Sequence, residues 1–197
     1  GKSTQLDNAA KTLERLGIDY IVTREPGGTP MAESIRELLL APREESVHET
    51  TELLLMFAAR AQHLHNRILP ALSAGKWVLC DRFTDATFAY QGGGRGVARE
   101  RIALLEALVQ GEVRPDHVIL LDAPVETGMA RARKRGELDR FEQEAQAFFQ
   151  RIRETYLERA TEMPGRYHVV NAALPLEQVS ESVSALLTAL AKLPVSD

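Results

Sequence analysis

Short apolar runs alternate along the chain with longer segments in which apolar residues recur every three or four positions. The short runs are rich in Val, Ile and Leu and predict β-strands over residues 19–23, 76–80, 117–121 and 167–170. The longer segments predict amphipathic helices over residues 4–16, 31–40, 51–74, 99–110, 125–135, 143–162 and 176–193. Strands that alternate with helices are typical of an α/β fold in which helices flank a parallel sheet.

Glycine and proline mark the breaks between these segments. Gly17 follows the first predicted helix, the sequence PGG at 26–28 follows the first strand, and GGGRG at 92–96 interrupts the middle of the chain. Pro70 lies inside the helix predicted over 51–74, and because proline lacks a backbone N–H we expect it to kink or divide that helix. The length of 197 residues, with 44% hydrophobic residues and no long linker, predicts a single domain over 1–197.

The charge balance narrows the class of partner. With 24 basic and 28 acidic residues the net charge is -4, so the composition favours small anions over nucleic acid as ligands. Cys80 is the only cysteine, which excludes an intramolecular disulfide and fits a reducing compartment. Its apolar neighbours favour a buried packing role. No apolar stretch approaches the ~20 residues that span a bilayer, so we expect a cytoplasmic protein with no membrane partner.

The chain begins with Gly1, Lys2, Ser3 and Thr4, the letters that end a phosphate-binding loop G-x-x-x-x-G-K-[ST]. In such a loop the backbone amides hold a nucleotide phosphate, the lysine reaches the β- and γ-phosphates, and the serine hydroxyl binds Mg²⁺. We expect a strand and the front of the loop to precede Gly1, which makes a five-stranded parallel sheet with that strand in its interior. A helix that simply opens with Ser and Thr explains the same four letters.

Charged residues follow two of the predicted strands. Asp81 and Arg82 come directly after strand 76–80, where open α/β sheets bind their ligands. Asp81 is a candidate for orienting Mg²⁺, and Arg82 for holding a phosphate through two hydrogen bonds. The alternative is a surface ion pair at a strand end, which stabilises little. Asp122 follows strand 117–121, and there we expect it to cap the next helix rather than to take part in catalysis.

The segment RARKRGELDR at 131–140 has five cations in ten residues around Gly136. In an acidic protein this concentration predicts a closing lid over residues 135–143 that brings arginines to a triphosphate. Arg135 and Arg140 are the candidates for neutralising charge in a phosphoryl-transfer transition state. The alternative is a solvated helix end, where cations complement the helix dipole.

Phe57 and Arg60 are three positions apart on the strongly apolar segment 54–60, so they share a helix face. A core explains the phenylalanine but not the arginine beside it. A nucleobase that stacks on the ring and accepts a hydrogen bond from the guanidinium explains both.

Five motifs together resemble the bacterial thymidylate kinase family, and the resemblance covers essentially the whole chain. The motifs are TREPGGT at 23–29, LLMFAAR at 54–60, DRF at 81–83, AYQGGGRG at 89–96 and RGELDRFE at 135–142. The resemblance implies the P-loop nucleoside monophosphate kinase fold and transfer of the γ-phosphoryl group of ATP to dTMP, a step of dTTP biosynthesis. It also implies Mg²⁺ as cofactor and a homodimer that packs through the long helix 51–74.

The same resemblance implies roles for individual residues in the acceptor pocket. Phe57 would stack on thymine, Arg60 would contact its O4 edge, and Thr87 would face the polar rim of the base. Tyr90 would lie under the deoxyribose, with Gln91 in the same wall.

The resemblance also implies roles for a second group of residues, near the phosphate of the acceptor. Arg82 would bridge the acceptor phosphate and the transferred group, with Asp81 near the Mg²⁺. Glu25 would line the acceptor phosphate region, and we expect the Glu25–Pro26 peptide bond to be cis, because an X–Pro bond is the only one for which cis is accessible at low energy. The arginine-rich lid assigns the catalytic arginine to Arg135 and places Arg131 nearer the adenine.

Three alternatives remain at this point. A deoxynucleoside kinase of related architecture would phosphorylate the unphosphorylated nucleoside. A nucleotide-dependent switch is disfavoured because the chain has no N-K-x-D guanine-recognition motif and because the Phe57–Arg60 pair predicts a second nucleotide pocket. An inactive binding module is disfavoured because Lys2 is present.

Overall fold

A computed structural model describes residues 1–133, 140–141 and 144–193 of the chain. The first half contains the elements α1 (Lys2–Arg15), β1 (Tyr20–Arg24), α2 (Pro30–Leu40), α3 (Glu49–His63), a π-helical segment (Leu64–Ile68), α4 (Leu69–Ser73) and β2 (Trp77–Asp81). The second half contains α5 (Thr84–Thr87), a second π-helical segment (Phe88–Gly94), α6 (Arg99–Gln110), β3 (Val118–Asp122), α7 (Val125–Arg133), α8 (Gln146–Glu162), β4 (Tyr167–Asn171) and α9 (Leu176–Leu190). The alternation of strands and helices confirms the α/β class.

The strands form two parallel pairs. Strand β1 pairs with β2, with Val22 opposite Leu79, and β3 pairs with β4, with Leu120 opposite Val169. The sequence predicted one five-stranded sheet, and the described residues instead form two sheets of two strands each. Both pairs pack on the same helices, since Ala9 of α1 and Val183 and Leu187 of α9 share one apolar cluster with residues of β2, β3 and β4.

The predicted strands are confirmed to within one residue at each end, and most predicted helices to within a few residues. The helix predicted over 51–74 is divided, as Pro70 indicated, into α3, the first π-helical segment and α4. Pro70 lies in the first turn of α4, where the missing N–H costs no hydrogen bond. The lid predicted over 135–143, with Arg135, falls largely outside the described residues.

The sequence did not predict the helical structure over 84–94, because its three glycines indicated a break. Two of these glycines, Gly93 and Gly94, are instead needed for packing against α8. A Cβ atom on Gly94 would lie 2.5 Å from the Phe148 ring, and one on Gly93 would overlap Thr155. Helix α8 therefore lies directly against this backbone, and the second π-helical segment also contacts α3, α5 and α6.

None of the helices in the described ranges is both long enough and apolar enough to cross a membrane.

Candidate active site

A cavity opens where β1 and β2 end, between α3 and the second π-helical segment. Such a crevice at the carboxyl ends of parallel strands is where open α/β sheets bind ligands. Six residues predicted from the sequence line it together: Glu25, Arg60, Arg82, Thr87, Tyr90 and Gln91. Three distant parts of the chain therefore meet as predicted.

Arg60 of α3 forms the polar floor of the cavity. Its Nε donates to Glu25 Oε2 at 2.7 Å and its Nη2 donates to Thr87 Oγ1 at 2.9 Å. Longer contacts of Nη1 reach Thr84 at 3.4 Å and Gln110 at 3.5 Å. Arg60 and Glu25 are only 2% and 4% exposed. A guanidinium so far from water is stable only where its donors are matched, and here the matching groups hold it in one orientation.

His63, one turn after Arg60 on α3, is a site residue that the sequence pattern alone does not identify. Its Nδ1 lies 3.0 Å from Glu25 Oε1 and its Nε2 lies 2.6 Å from Thr23 Oγ1, so it fixes the second carboxylate oxygen of Glu25. Gly28 leaves room for this ring, since a Cβ there would lie 2.4 Å from it, and the φ of +88° at Gly28 also requires glycine. The i, i+3 spacing from Arg60 to His63 was the signal available in the sequence.

Two features of the backbone at Glu25 also shape the site. The Glu25–Pro26 peptide bond is cis, which confirms the prediction. The N–H of Glu25 donates to the carbonyl of Asp81 at 3.0 Å, so the loop after β1 and the end of β2 are joined.

Arg82 follows β2 with a φ of 67°, a left-handed backbone that is unfavourable for residues other than glycine. Such strain is concentrated at functional sites. The carbonyl of Arg82 accepts a hydrogen bond from the Cys80 thiol at 3.0 Å. Burial raises the pKa of Cys80 well above its usual value, so the sulfur retains the proton it donates. The cysteine thus has a contact beyond the packing role that the sequence predicted.

The guanidinium of Arg82 lies against Tyr90. Its Nη2 donates to the tyrosine hydroxyl at 3.2 Å, and its central carbon lies 5.4 Å from the ring centroid. The electrostatic effect of Tyr90, with smaller effects of Tyr156 and Asp81, raises the pKa of Arg82 and outweighs burial. Arg82 is therefore a permanent cation beside the cavity, available to an anionic group.

Thr87, Tyr90 and Gln91 occupy the cavity because α5 continues into the second π-helical segment. Single π turns occur often at functional sites, since the wider turn shifts the side chains that follow it. The Gln91 amide donates to Glu52 at 2.8 Å, and the Tyr90 ring meets the edge of Phe141 at 5.7 Å. Phe141 closes this part of the cavity lining.

The structure corrects the position predicted for Phe57. The side chain is 2% exposed and packs in a core cluster that includes Leu53 and Phe88, outside the cavity lining. Arg60 does lie over its ring, at 4.8 Å, so the two residues share a helix face as predicted. Met56, the preceding residue, lines the cavity instead. Phe57 thus supports Arg60 from the core side, and base stacking by Phe57 is not compatible with this position.

The predicted basic residues divide into three cases. Arg140 donates from Nε to the Leu39 carbonyl at 2.8 Å and from Nη2 to Glu52 at 2.5 Å, so its guanidinium is held between α2 and α3. Arg131 is exposed and donates to the Ala172 carbonyl at 2.7 Å. Arg135 lies outside the described residues.

The expectation that Asp122 caps the following helix is wrong. Both of its carboxylate oxygens accept hydrogen bonds from Arg153 of α8, at 2.7 and 2.9 Å. This two-point contact ties the end of β3 to α8 and engages the oxygens that a cap would use.

The G-K-S-T residues open α1, with Gly1 as its N-cap and all four residues exposed. Exposed amides at a helix N-terminus suit a phosphate. Ser3 and Asp81 supply the hard oxygen donors that Mg²⁺ prefers, and Mg²⁺ takes its other ligands from water and phosphate. In the described part of the chain no group of three or more His, Cys, Asp or Glu residues could hold a metal by itself. The residues present therefore fit a magnesium ion that a nucleotide brings with it.

The Arg60–Glu25 pair gives a stability prediction. Because Arg60→Met leaves the buried Glu25 carboxylate with His63 alone, we expect a loss of about 3 to 5 kcal/mol in the free energy of unfolding. Urea unfolding followed by circular dichroism measures it. The double variant Arg60→Met with Glu25→Gln should lose less, and the exposed Arg99→Met should lose under about 1 kcal/mol. A loss from Arg60→Met as small as that of Arg99→Met would contradict a structural role for the pair.

Comparisons with known proteins agree with this geometry. Residues 1–183 match the family model for thymidylate kinase. The chain is 62% identical over 187 residues to a thymidylate kinase of Pseudomonas entomophila, covering 95% of this chain and 89% of that protein. It is 58% identical over 193 residues to one of Pseudomonas savastanoi pv. phaseolicola, with 98% and 92% covered. The solved structure of thymidylate kinase from Ehrlichia chaffeensis superposes with a TM-score of 0.75 at 33% identity, covering 95% of this chain and 92% of that one. The chain therefore belongs to the thymidylate kinase family.

Proposed function

We propose that this protein phosphorylates dTMP to dTDP with MgATP as donor, a step of dTTP biosynthesis. The observation that carries the proposal is the buried Arg60, held by Glu25 and Thr87 in a cavity that also presents Arg82, in a chain of the thymidylate kinase family. Arg60 is a fixed hydrogen-bond donor that suits a nucleobase, and Arg82 is a permanent cation that suits a phosphate. Together they match the two ends of one nucleotide.

Within this proposal the cavity residues divide the acceptor between them. Arg60 donates to the O4 edge of thymine, and Thr87 faces the polar rim of the base. Met56 offers the base an apolar surface in place of Phe57. Tyr90 lies under the deoxyribose, and Gln91 completes the wall beside it. Because the guanidinium of Arg60 is buried, a ligand that does not accept a hydrogen bond from the part of the guanidinium that lines the cavity is expected to bind poorly.

The phosphoryl donor is assigned to the exposed start of α1. The amides of Gly1 to Thr4 and the side chain of Lys2 would hold the phosphates of ATP, and Arg131 would lie near the adenine. Ser3 and Asp81 would hold Mg²⁺, which lowers the negative charge on the phosphates when bound. Arg135, from the predicted lid, would stabilise charge in the transition state.

The chain's own residues act by positioning. Arg82 binds the acceptor phosphate and aligns one of its oxygens with the γ-phosphorus of ATP, so that the transfer is direct and in line. No covalent intermediate on the protein is needed. The contact of Arg82 with Tyr90 joins phosphate binding to sugar binding, and the wall around Phe141 helps to exclude water.

We extend the proposal to the fold: the two parallel pairs are parts of one five-stranded sheet in a single P-loop kinase domain, with an arginine-rich lid at 135–143. The apolar cluster shared by β2 and β3 under α1 and α9 supports this arrangement. A cytoplasmic location likewise stays a prediction.

The substrate test separates the proposal from a deoxynucleoside kinase. The full-length protein with MgATP is expected to release ADP and form dTDP when dTMP is added, with far less ADP release on thymidine, because Arg82 needs an acceptor phosphate to align. A coupled ADP assay with chromatographic detection of dTDP measures both. ADP formation with thymidine but not dTMP would contradict the proposal, and slow ADP formation independent of either acceptor would indicate a switch.

Replacement of the strained arginine tests its role. We expect Arg82→Ala to lower kcat about 10²- to 10³-fold, because a cation that binds both the acceptor and the transferred group is lost. Steady-state kinetics at saturating dTMP and ATP measures the effect. The exposed Arg15→Ala, at the far end of α1, is the matched control and should keep normal turnover. Near-normal turnover of Arg82→Ala would remove Arg82 from the mechanism.

An exposed apolar face supports the proposed homodimer. Leu104 and Leu108 of α6 are 70% and 78% exposed, and Leu54 of α3, the helix that α6 packs against, is 53% exposed. Leucines this exposed on two adjacent helices are typical of a surface that a second copy covers. The face includes part of the segment 51–74 that the sequence indicated.

We expect the double variant Leu104→Asp with Leu108→Asp to be a monomer where the unchanged protein is a dimer, because a buried carboxylate without a partner disfavours association. Sedimentation velocity measures the oligomeric state. Leu176→Asp, on the similarly exposed Leu176 of α9, is the control and should leave the dimer intact. A monomeric unchanged protein, or a dimeric double variant, would contradict this interface.

A further inference from the structure

One buried carboxylate contacts two walls of the acceptor cavity that come from distant parts of the chain. Glu52, in the first turn of α3, is 1% exposed. Its Oε1 accepts a hydrogen bond from Gln91 at 2.8 Å, and its Oε2 accepts one from Arg140 at 2.5 Å. Gln91 belongs to the second π-helical segment, whereas Arg140 lies beyond α7. Glu52 therefore joins the two segments.

Arg140 is held on both sides of its guanidinium. Besides the bond to Glu52, its Nε donates to the Leu39 carbonyl at 2.8 Å, and its backbone N–H donates to the Leu40 carbonyl at 3.4 Å. These carbonyls belong to the last turn of α2, which carries unpaired acceptors. The two contacts dock the chain around residue 140 between α2 and α3.

The next residue, Phe141, lines the cavity beside the docked Arg140. Its ring is 6% exposed and lies 4.4 Å from the Arg140 guanidinium carbon. The ring meets Tyr90 edge-on at 5.7 Å, and both side chains line the cavity. Phe141 also packs in an apolar cluster with Phe148 and Ile152, so the anchored Arg140 is one of the contacts that hold Phe141 against Tyr90.

Glu52 is also the carboxylate that lies between two cations, Arg95 and Arg140. Arg95 lies 3.4 Å from Glu52 Oε1 and pairs with Glu144 at 2.5 Å. Among the described residues, the carboxylates of Glu52 and Glu144 are the ones that contact the guanidiniums of Arg95 and Arg140. Without Glu52, Arg95 would keep Glu144, whereas Arg140 would have no carboxylate partner among the residues that the structure describes.

We propose that Glu52 is a positioning residue for the acceptor nucleotide: it anchors Arg140, and through it Phe141, against the wall formed by Tyr90 and Gln91. The inference rests on the proposed function, because the nucleotide is taken to be dTMP. It assigns Arg140 to acceptor binding and leaves charge stabilisation in the transition state to other cations. The contact sets affinity for the acceptor and leaves the rate of transfer unchanged.

The test is steady-state kinetics of the full-length protein and of Glu52→Gln, Arg140→Met and the double variant. We expect each single variant to raise the KM for dTMP about tenfold, within the range of coupling energies for contacting residues, with kcat and the KM for ATP changed less than about twofold. The double variant should be no worse than the poorer single variant, because both changes remove the same contact. Glu162→Gln, in the exposed Arg99–Glu162 pair, is the matched control and should change nothing.

The two single variants guard against a folding artefact. Glu52→Gln leaves Arg95 and Arg140 close together, whereas Arg140→Met removes one of these cations along with the contact, so Arg140→Met alone decides the question if Glu52→Gln does not fold. A fall of 100-fold or more in kcat for Arg140→Met at unchanged KM for dTMP would overturn the inference and return Arg140 to the transition state. An unchanged KM for dTMP in the folded variants would also overturn it while the proposed function stands. An unchanged protein inactive on dTMP would overturn both.

Discussion

The pairing of Arg60 with Glu25, both nearly excluded from water, is the constraint on which the candidate site depends. A buried guanidinium offers five N–H groups, and leaving them unmatched would cost several kcal/mol. Glu25, Thr87 and more distant contacts from Thr84 and Gln110 meet this demand from three different parts of the chain. The hydrogen bonds of this one side chain therefore fix the loop after β1, helix α5 and the end of α6 relative to α3. That is the geometry a nucleotide pocket needs.

The polar interior extends outward from this pair in two directions. On one side His63 holds the second oxygen of Glu25 through Nδ1 and contacts Thr23 through Nε2, and Gly28 leaves room for the imidazole. On the other side, nearer the start of α3, a second buried carboxylate, Glu52, accepts hydrogen bonds from Gln91 and Arg140. Helix α3 thus carries both polar centres, while its core-facing Phe57 packs under Arg60. A rigid helix that presents buried, mutually satisfied charges is a suitable support for a site whose chemistry is mostly positioning.

The sequence predicted the parts of this arrangement that depend on local pattern. Strand positions followed from β-branched runs, and Asp81 and Arg82 were placed at a strand end because the apolar run stops there. Periodicity correctly put Phe57 and Arg60 on one face, but it could not say which edge of that face meets the cavity. That depends on how α3 is rotated against α6 and the second π-helical segment, and the rotation gives the cavity to Met56. The glycines at 93–94 misled for a related reason, since they serve close packing with α8 rather than a turn.

Residues missed by the sequence share a physical property: their roles are set by contacts across long sequence separations. Glu52 and Arg140 are 88 positions apart, and His63 lies 40 positions from Thr23. A charged residue in an apolar helix indicates burial with a partner, but only the fold names the partner. This is also why a basic run such as 131–140 is ambiguous in sequence. Of its arginines, Arg140 bonds a buried glutamate and Arg131 a loop carbonyl, two acceptors that charge alone does not indicate. Charge density predicts that a segment binds anions, whereas the available acceptors decide which of its cations are free to do so.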